Sequence, residues 1–230
     1  MKTMGLIGGM SWESTLQYYR VLNETVKEKL GKNHSVKCVI YSVDFAEIKK
    51  LQHEGKWGLL RDLMIAAAQR LKRADADFLV ICANTMHKVA EEIQDNIKIP
   101  LLHITDAVAE SIQKKGLKKV GLLGTKFTME EDFYKERLRE KFTIEVVIPN
   151  EAERRIIHDI IYNELCQGII NASSKKKFID IIKNLHENGA EGVVLGCTEI
   201  PLLINEKDVD VLIFDTTTIH AKAAVEFALK

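Results

Sequence analysis

Three strand-to-loop junctions carry the side chains best suited to proton-transfer chemistry. They are Gly8–Thr15, Cys82–His87 and Gly196–Pro201, and each follows a short apolar run with small hydroxyl, amide or thiol residues. Exposed backbone N–H groups at the start of a helix bind anions such as carboxylates. The hydroxyl and amide side chains of these junctions add further donors. The sequence therefore predicts a pocket rich in neutral donors, which suits a carboxylate ligand.

Among the four cysteines, Cys197 is the one whose position indicates reactivity. It ends an apolar strand and precedes the polar, helix-starting segment Thr198–Pro201, a position that exposes the sulfur and can lower the pKa of a thiol. Cys38 lies within a strand and Cys166 within a helix, where free cysteines are usually inert. The cysteines form no CxxC pair and no Cys/His spacing typical of zinc, so we expect no metal.

Other polar residues have a simpler structural interpretation. The glycines after the first strand do not form G-x-G-x-x-G, and no G-K-[ST] follows them, so a nucleotide site is not indicated. Helix capping or core packing explains His87 better than catalysis does. His103 and His220 fit packing at the ends of strands.

Short apolar runs alternate with longer amphipathic stretches, which predicts an α/β fold with parallel sheets buried on both faces. The predicted strands are Met4–Ile7, Val36–Val43, Phe78–Cys82, Leu101–Ile104, Val120–Leu123, Ile144–Ile148, Gly192–Leu195 and Val211–Phe214. The predicted helices are Trp12–Leu30, Trp57–Arg73, Met86–Asn96, Asp106–Lys115, Glu130–Phe142, Ala152–Gln167, Lys175–Asn188 and His220–Leu229.

The two halves of the chain repeat each other. Gly5–Gly8 matches Gly121–Gly124, and Ala76–Asn84 matches Ala190–Thr198 at nearly the same offset. Such a duplication predicts two similar doubly wound units related by pseudo-twofold symmetry. Ligands of open α/β sheets bind beyond the carboxyl ends of the strands, so we expect the active site in a cleft between the units.

The division that we expect from this pattern is discontinuous. The first unit comprises residues 1–104 together with 210–230, and the second comprises residues 105–209.

Several motifs together resemble the aspartate/glutamate racemase family, in its amino-acid racemase branch, and they cover nearly the whole chain. They are Gly8–Thr15, Ser42–Ile48, Leu123–Thr125, Phe127–Glu130, Glu164–Cys166 and Gly196–Ile200. The resemblance implies that L- and D-amino acids are interconverted without pyridoxal phosphate or metal. One thiolate removes the α-proton, and a second thiol returns a proton to the opposite face.

The resemblance also implies the substrate-binding positions, some of which act through backbone N–H groups. Donor chemistry and family comparison together give Met10, Gln52, Asn84, Thr85, Thr125, Glu164, Thr198 and Glu199. The charge that develops on the substrate carboxylate requires such preorganised donors.

The sequence departs from the family where the first catalytic cysteine is expected. Directly before Asn84 and Thr85 stands Ala83, and Cys82 lies one position earlier. The internal repeat also places Ala83, not Cys82, opposite Cys197. Because one step along a strand turns a side chain to the other face, we expect Cys82 behind the strand unless a bulge redirects it.

Composition limits the partners. Lys plus Arg and Asp plus Glu both total 33, which argues against nucleic acid or an anionic membrane. No apolar run reaches the ~20 residues of a membrane span, and the N-terminus lacks the layout of a signal peptide. From cysteine usage we expect a cytoplasmic protein with reduced thiols. The resemblance implies an enzyme without a cofactor that acts on a small, acidic amino acid, and because dimers are common among soluble enzymes we expect a homodimer.

Two alternatives stay open at this stage. A decarboxylase-like relative needs only a single thiol as proton donor. A carboxylate-binding protein without turnover would bind the ligand without exchanging its α-proton.

Overall fold

Four parallel strands form the sheet of the first unit, in the order β2-β1-β3-β4. The strands are β1 (Met4–Gly8), β2 (Cys38–Ser42), β3 (Phe78–Ile81) and β4 (Leu101–Leu102). Strand β1 is buried along its whole length because it pairs with β2 on one side and β3 on the other. The carboxyl ends of β1 and β3 therefore lie side by side.

Helices cover both faces of this sheet. They are α1 (Trp12–Leu30), α2 (Phe45–His53), α3 (Trp57–Arg73), a 3₁₀ helix (Thr85–Val89), α4 (Ala90–Asp95) and the main part of α10 (Thr216–Leu229). One apolar core contains Leu6, Tyr18 and Val225, and the other contains Ile7, Met64 and Leu79. The alternation of Leu6 and Ile7 between the cores follows from the period of two in a strand.

The second unit contains another four-stranded parallel sheet, in the order β6-β5-β7-β8. Its strands are β5 (Lys119–Gly124), β6 (Glu145–Val147), β7 (Gly192–Gly196) and β8 (Leu212–Asp215). Its helices are α5 (Ile104–Lys114), α6 (Lys126–Glu130), α7 (Asp132–Glu136), a π-helical turn (Arg137–Lys141), α8 (Glu151–Asn163), α9 (Ala172–Glu187) and 3₁₀ helices at Leu165–Gln167 and Ile200–Leu202.

This computed structural model describes every residue from Met1 to Lys230. The chain divides into a first unit of Met1–Ile104 with His220–Lys230 and a second unit of Thr105–Ile219. The predicted α/β fold with two parallel sheets is confirmed. The predicted pseudo-twofold relation and the cleft stay predictions. No helix combines the length and apolar character that crossing a membrane requires.

The boundary near the C-terminus differs from the predicted one. The sequence assigned residues 210–219 to the first unit, whereas β8 pairs with β7 in the second sheet. Helix α10 also begins at Thr216 rather than at His220. The side chain of Asp215 accepts hydrogen bonds from the backbone N–H groups of Thr217 and Thr218 and so caps the earlier start.

Several helices are shorter than predicted, and one was missed. The predicted helix Met86–Asn96 begins as a 3₁₀ helix, because the backbone of Val89 leaves helical geometry before α4. The predicted helix Glu130–Phe142 is divided between α6, α7 and the π-helical turn. Helix α2 was not predicted, although Asp44 caps it by accepting a hydrogen bond from the N–H group of Ala46.

A buried histidine ties the C-terminal helix to the first sheet. The Nε2–H group of His220 donates to the carbonyl of Leu102 at 2.9 Å, so its Nδ1 is unprotonated and accepts from the Tyr18 hydroxyl at 2.9 Å. Acceptance at Nδ1 requires the neutral ring, whereas the Nε2–H group can donate to the Leu102 carbonyl in either protonation state. Burial lowers the pKa of His220 from 6.5 to about 4.

We expect this histidine to make the chain sensitive to acid. Between pH 6.5 and 4 the unfolded chain binds a proton at residue 220 and the folded chain does not, so stability falls as the pH falls. The shift corresponds to a loss of about 3 kcal/mol. Urea unfolding at several pH values should show that the free energy of unfolding falls less steeply with falling pH in His220→Gln than in the wild type. His34 is exposed, so His34→Gln is the control and should keep the wild-type dependence of stability on pH. The same pH dependence in both variants would contradict this interpretation.

Candidate active site

Strand β7 delivers Cys197 to the edge of the second sheet. All residues of the strand are buried, and Cys197 follows its last residue, Gly196. A side chain at Gly196 would come within 2.8 Å of the Leu123 carbonyl on neighbouring β5. Glycine at this position therefore allows β5 and β7 to approach closely. This approach fixes the backbone that carries the Cys197 thiol.

A buried carboxylate accepts a hydrogen bond from the thiol. The Cys197 thiol and the Thr198 hydroxyl both donate to Oε2 of Glu199, each at 3.0 Å. All three side chains are buried. The predicted substrate-binding residue Glu199 is thus positioned as the hydrogen-bond acceptor of the predicted catalytic thiol.

The expectation of a lowered thiol pKa at this junction is wrong. Burial, followed by the negative charge of Glu199, raises the pKa of Cys197 well above its ordinary value. Only the 3₁₀ helix Ile200–Leu202 follows the junction, too short to supply the dipole of a full helix. The resting group is therefore a thiol, and a base is needed to deprotonate it.

Thr125 lies at the end of the neighbouring strand β5. Its side chain accepts a hydrogen bond from the N–H group of Thr128 at 3.3 Å and caps helix α6. Because Gly124 pairs with Gly196, Thr125 and Cys197 follow directly adjacent residues of the two strands. The structure thus brings together the two predicted strand-end groups of the second unit.

Two residues near the thiol were not assigned a role by the sequence. Burial raises the pKa of Tyr162, and the charges of Cys197, Cys166 and Glu199 raise it further, so this phenol lies within electrostatic reach of all three. The charge of Cys166 also acts on Cys197. Tyr162 is buried near the end of α8, as Ile157 and Ile161 are, so its sequence pattern indicated only core packing.

Glu164 lies at the junction of α8 and the 3₁₀ helix Leu165–Gln167. Its Oε1 accepts a hydrogen bond from the Ser174 hydroxyl at 2.9 Å. Its second oxygen, Oε2, is buried and has no hydrogen-bond partner in the chain. The substrate-binding role that the resemblance implies for Glu164 stays a prediction.

In the first unit, Cys82 and Ala83 point to opposite faces of the sheet. Cys82 is fully buried in the core with Tyr18 and Leu22, and its burial raises the pKa of its thiol. Ala83 belongs to the other core, with Met10. The alternation of side chains along β3, which the sequence predicted, thus places the Cys82 thiol behind the strand. The Ala83 methyl group occupies the position that the internal repeat matches to Cys197.

A histidine fixes the backbone of Ala83. The Nδ1–H group of His87 donates to the Ala83 carbonyl at 2.8 Å, and its Nε2 accepts from the N–H group of Ile104 at 3.2 Å. Both ring nitrogens are therefore used to hold the end of β3 against Ile104, within the first unit. This agrees with the structural role that the sequence indicated for His87.

The remaining predicted residues of the first unit surround the same strand ends. Asn84 and Thr85 are buried directly after Ala83, and Met10 is buried after β1. The Gln52 amide donates to the sulfur of Met86 at 3.3 Å. The structure therefore groups these residues locally, while their contact with a ligand stays a prediction.

No group of three or more histidine, cysteine, aspartate or glutamate side chains is arranged to hold a metal ion. The groups that the structure joins by hydrogen bonds at Cys197 are a thiol, a carboxylate and a hydroxyl.

The family model for Asp/Glu/hydantoin racemases matches residues 7–224. The chain is 51% identical, over the full length of both chains, to a candidate Asp/Glu racemase from Yersinia pestis of known structure, with a TM-score of 0.92. It is 42% identical to an aspartate racemase homologue from Pyrococcus horikoshii OT3, again over both full chains, with a TM-score of 0.86. It is also similar to the broad specificity amino-acid racemase RacX of Bacillus subtilis (strain 168), at 22% identity over 96% of each chain.

The hydrogen bond to Glu199 predicts how the thiol reacts with an alkylating agent. Because the carboxylate raises the pKa of Cys197, Glu199→Gln should increase the thiolate fraction and speed alkylation by iodoacetamide at pH 8, by roughly tenfold or more. Mass spectrometry of the Cys197 peptide over time measures the rate.

Glu191→Gln is the matched control, because Glu191 precedes the opposite end of the same strand and binds the N–H groups of Lys118 and Lys119. It should leave the alkylation rate unchanged. An unchanged rate in Glu199→Gln would show that the carboxylate does not control this thiol, and a slower rate would contradict the predicted increase in the thiolate fraction.

Proposed function

Because the chain belongs to the Asp/Glu/hydantoin racemase family, we propose that it is a cofactor-independent racemase of aspartate, glutamate or related amino acids. The observation that carries the proposal is the buried Cys197 thiol at the end of β7, hydrogen-bonded to the buried Glu199 carboxylate. A thiol paired with a base is the activated acid/base group that removal of an α-proton requires.

The first step generates the base. Glu199 accepts the proton of Cys197, and the thiolate then removes the α-proton of the L-amino acid. The electron pair left on the α-carbon delocalises into the substrate carboxylate, which takes on enolate-like charge. A thiolate whose protonated form has a raised pKa is a strong base once formed, so the buried environment favours this abstraction.

Neutral donors stabilise the developing charge. Thr125 and Thr198 lie at adjacent strand ends in the second unit, and Asn84 and Thr85 follow β3 in the first. We propose that these groups bind the substrate carboxylate. Removal of one such donor in a preorganised site typically costs ~10²–10³ in turnover.

Inversion needs a proton donor on the opposite face of the α-carbon. The internal repeat assigns that position to Ala83, and alanine can neither donate nor accept a proton. Since the Cys82 thiol is packed in the core behind the strand, we propose that water delivers the second proton. The hydroxide that remains takes up, by way of solvent, the proton that Glu199 accepted, so the Cys197 thiol and the Glu199 carboxylate return to their resting states. The reaction is then one-sided, with efficient exchange at Cys197 and slower inversion.

The same asymmetry supports a second candidate function. A decarboxylase-like reaction needs a single thiol to protonate the carbanion left after CO₂ departs, and Cys197 is the one thiol placed at a matched strand end. Release of CO₂ from a malonate-type acid, without α-proton exchange on amino acids, would favour this function over racemisation.

The proposal includes the cell compartment and the assembly. All four cysteines are free, which fits the reducing conditions of a cytoplasm. We propose a cytoplasmic homodimer that uses neither pyridoxal phosphate nor a metal and has its role in amino-acid metabolism.

The catalytic assignment of Cys197 predicts that Cys197→Ala and Cys197→Ser abolish α-proton exchange. A hydroxyl with a far higher pKa cannot replace the thiolate base. Proton NMR of aspartate and glutamate in D₂O measures the exchange. Cys38→Ala and Cys166→Ala are the controls and should retain it; normal exchange in Cys197→Ala would remove Cys197 from the mechanism.

The lack of a thiol at Ala83 predicts that introducing one increases the rate of racemisation. Ala83→Cys should speed racemisation, above all from the D-enantiomer, because it supplies the missing acid/base group, and such a group contributes ~10²–10⁴-fold. Polarimetry measures the inversion rate. Cys82→Ala should change it little. Loss of racemisation in Cys82→Ala, with no gain in Ala83→Cys, would instead assign the second thiol to Cys82.

A further inference from the structure

Helix α6 begins directly after Thr125, one of the donors proposed to bind the substrate carboxylate, and contains only five residues. A helix this short is not stable by itself, so contacts with neighbouring elements must hold it in place. The Thr125 side chain caps it by accepting a hydrogen bond from the N–H group of Thr128 at 3.3 Å. The position of Thr125 therefore depends on what else holds the start of α6.

Helix α8 contacts α6 at both ends. At the start of α6, the N–H group of Lys126 donates to Nδ1 of His158 at 3.2 Å. At its other end, the Arg154 side chain donates to the Glu130 carboxylate at 2.9 Å. Arg154 and His158 are four residues apart on α8 and so lie on one side of that helix. His158 is therefore the residue of α8 that anchors the Thr125 end of α6.

The hydrogen bond at Lys126 has no substitute within α6. Lys126 is the first residue of the helix, and the first N–H groups of a helix have no acceptor in the helix itself. The bond also defines the state of the imidazole, because an Nδ1 atom that accepts a hydrogen bond carries no proton. A proton bound at Nδ1 of His158 would convert this acceptor into a second donor that faces the Lys126 N–H group.

Aromatic contacts place the same ring near the thiol. The His158 ring meets the Tyr162 ring edge-on, with 4.8 Å between the centroids, and the Phe127 ring at 6.1 Å. Both partners are buried. Tyr162 in turn lies within electrostatic reach of Cys197. His158 thus joins the first turn of α6 to a residue beside the thiol.

Charged side chains of both signs surround the outer side of the ring. His158 is half-buried and lines an open cavity of about 500 Å³. From α6 and α8, the titratable and charged groups packed around it are Lys126, Glu130, Glu151, Arg154, Arg155, Asp159 and Tyr162. Solvent reaches the ring from this cavity, so the folded chain can take up a proton there.

We propose that His158 is a positioning residue for Thr125, and that protonation of its ring weakens the capture of substrate. The proposal rests on the proposed function, in which Thr125 binds the substrate carboxylate. An unperturbed histidine changes its charge between pH 5 and 8. As the pH falls through this range, Nδ1 stops accepting from Lys126 and the start of α6 is less firmly held. The value of kcat/KM for α-proton exchange then falls.

Two variants separate the acceptor from the charge. His158→Asn keeps an acceptor, since Oδ1 of asparagine lies as many bonds from Cα as Nδ1 of histidine, but it does not titrate. His158→Phe keeps a ring against Tyr162 but has no acceptor. The net value of one hydrogen bond corresponds to roughly a two- to tenfold change in binding.

The test is kcat/KM for α-proton exchange on aspartate or glutamate at about pH 8 and about pH 5.5, the range in which histidine titrates. Wild type should equal His158→Asn at the higher pH and fall below it, by that two- to tenfold factor, at the lower pH. His158→Phe should lie below His158→Asn by this factor at both. An equal fall in wild type and His158→Asn would overturn the proposal, as would equal values for His158→Asn and His158→Phe.

His186→Asn is the matched control. His186 belongs to the same unit and bonds through Nδ1 to the Ala190 carbonyl beyond the end of α9, away from α6. This variant should follow the wild type at both pH values. A His186→Asn protein that lost the pH dependence would assign the titration to His186 and overturn the proposal.

Amide hydrogen exchange tests the positioning role without using turnover. Measured by NMR at one pH near neutrality, the Lys126 N–H group should exchange roughly two- to tenfold faster in His158→Phe than in wild type or His158→Asn. Unchanged exchange in His158→Phe would overturn the proposal even in an active enzyme. A wild type that exchanges no α-proton would instead contradict the proposed function, and the Lys126 N–H group would still decide the role of His158.

Discussion

The hydrogen bond from the Cys197 thiol to the Glu199 carboxylate depends on a scaffold that keeps both groups out of water. A buried carboxylate is costly unless its oxygens are satisfied, and here Cys197 and Thr198 share one of them. The short turn after β7 supplies both donors from consecutive residues. Buried β7 and the glycine contact between β5 and β7 keep that turn at the sheet edge.

The strand end in the first unit that the internal repeat matches to Cys197 carries different chemistry. His87 uses both ring nitrogens to hold the end of β3, so Ala83 is as firmly placed as a catalytic residue would be. The period of two along the strand then sends the Cys82 thiol into the core. In the proposed mechanism, one residue of register thus separates a two-thiol site from a one-thiol site.

Much of this organisation could be predicted from the sequence, because it depends on the regular spacing of apolar residues along the chain. Buried strands, the internal repeat and the opposite faces of Cys82 and Ala83 all follow from which residues are apolar and how they are spaced. The raised pKa of Cys197 could not be predicted, since it depends on how deeply the folded chain buries the thiol and on the charge of Glu199 beside it. Tyr162 was missed for a similar reason: only the folded chain brings the end of α8 near β7.

The central claim, that a single thiol serves one face of the substrate, is tested most directly by comparing two rates for the wild-type enzyme. L-aspartate and L-glutamate are incubated separately in D₂O; proton NMR measures loss of the α-proton, and chiral chromatography measures formation of the D-enantiomer. We predict that deuterium enters the L-enantiomer faster than the D-enantiomer forms, because Cys197 returns a solvent-exchanged proton before the opposite face is protonated. Equal rates of exchange and inversion would contradict the one-thiol account.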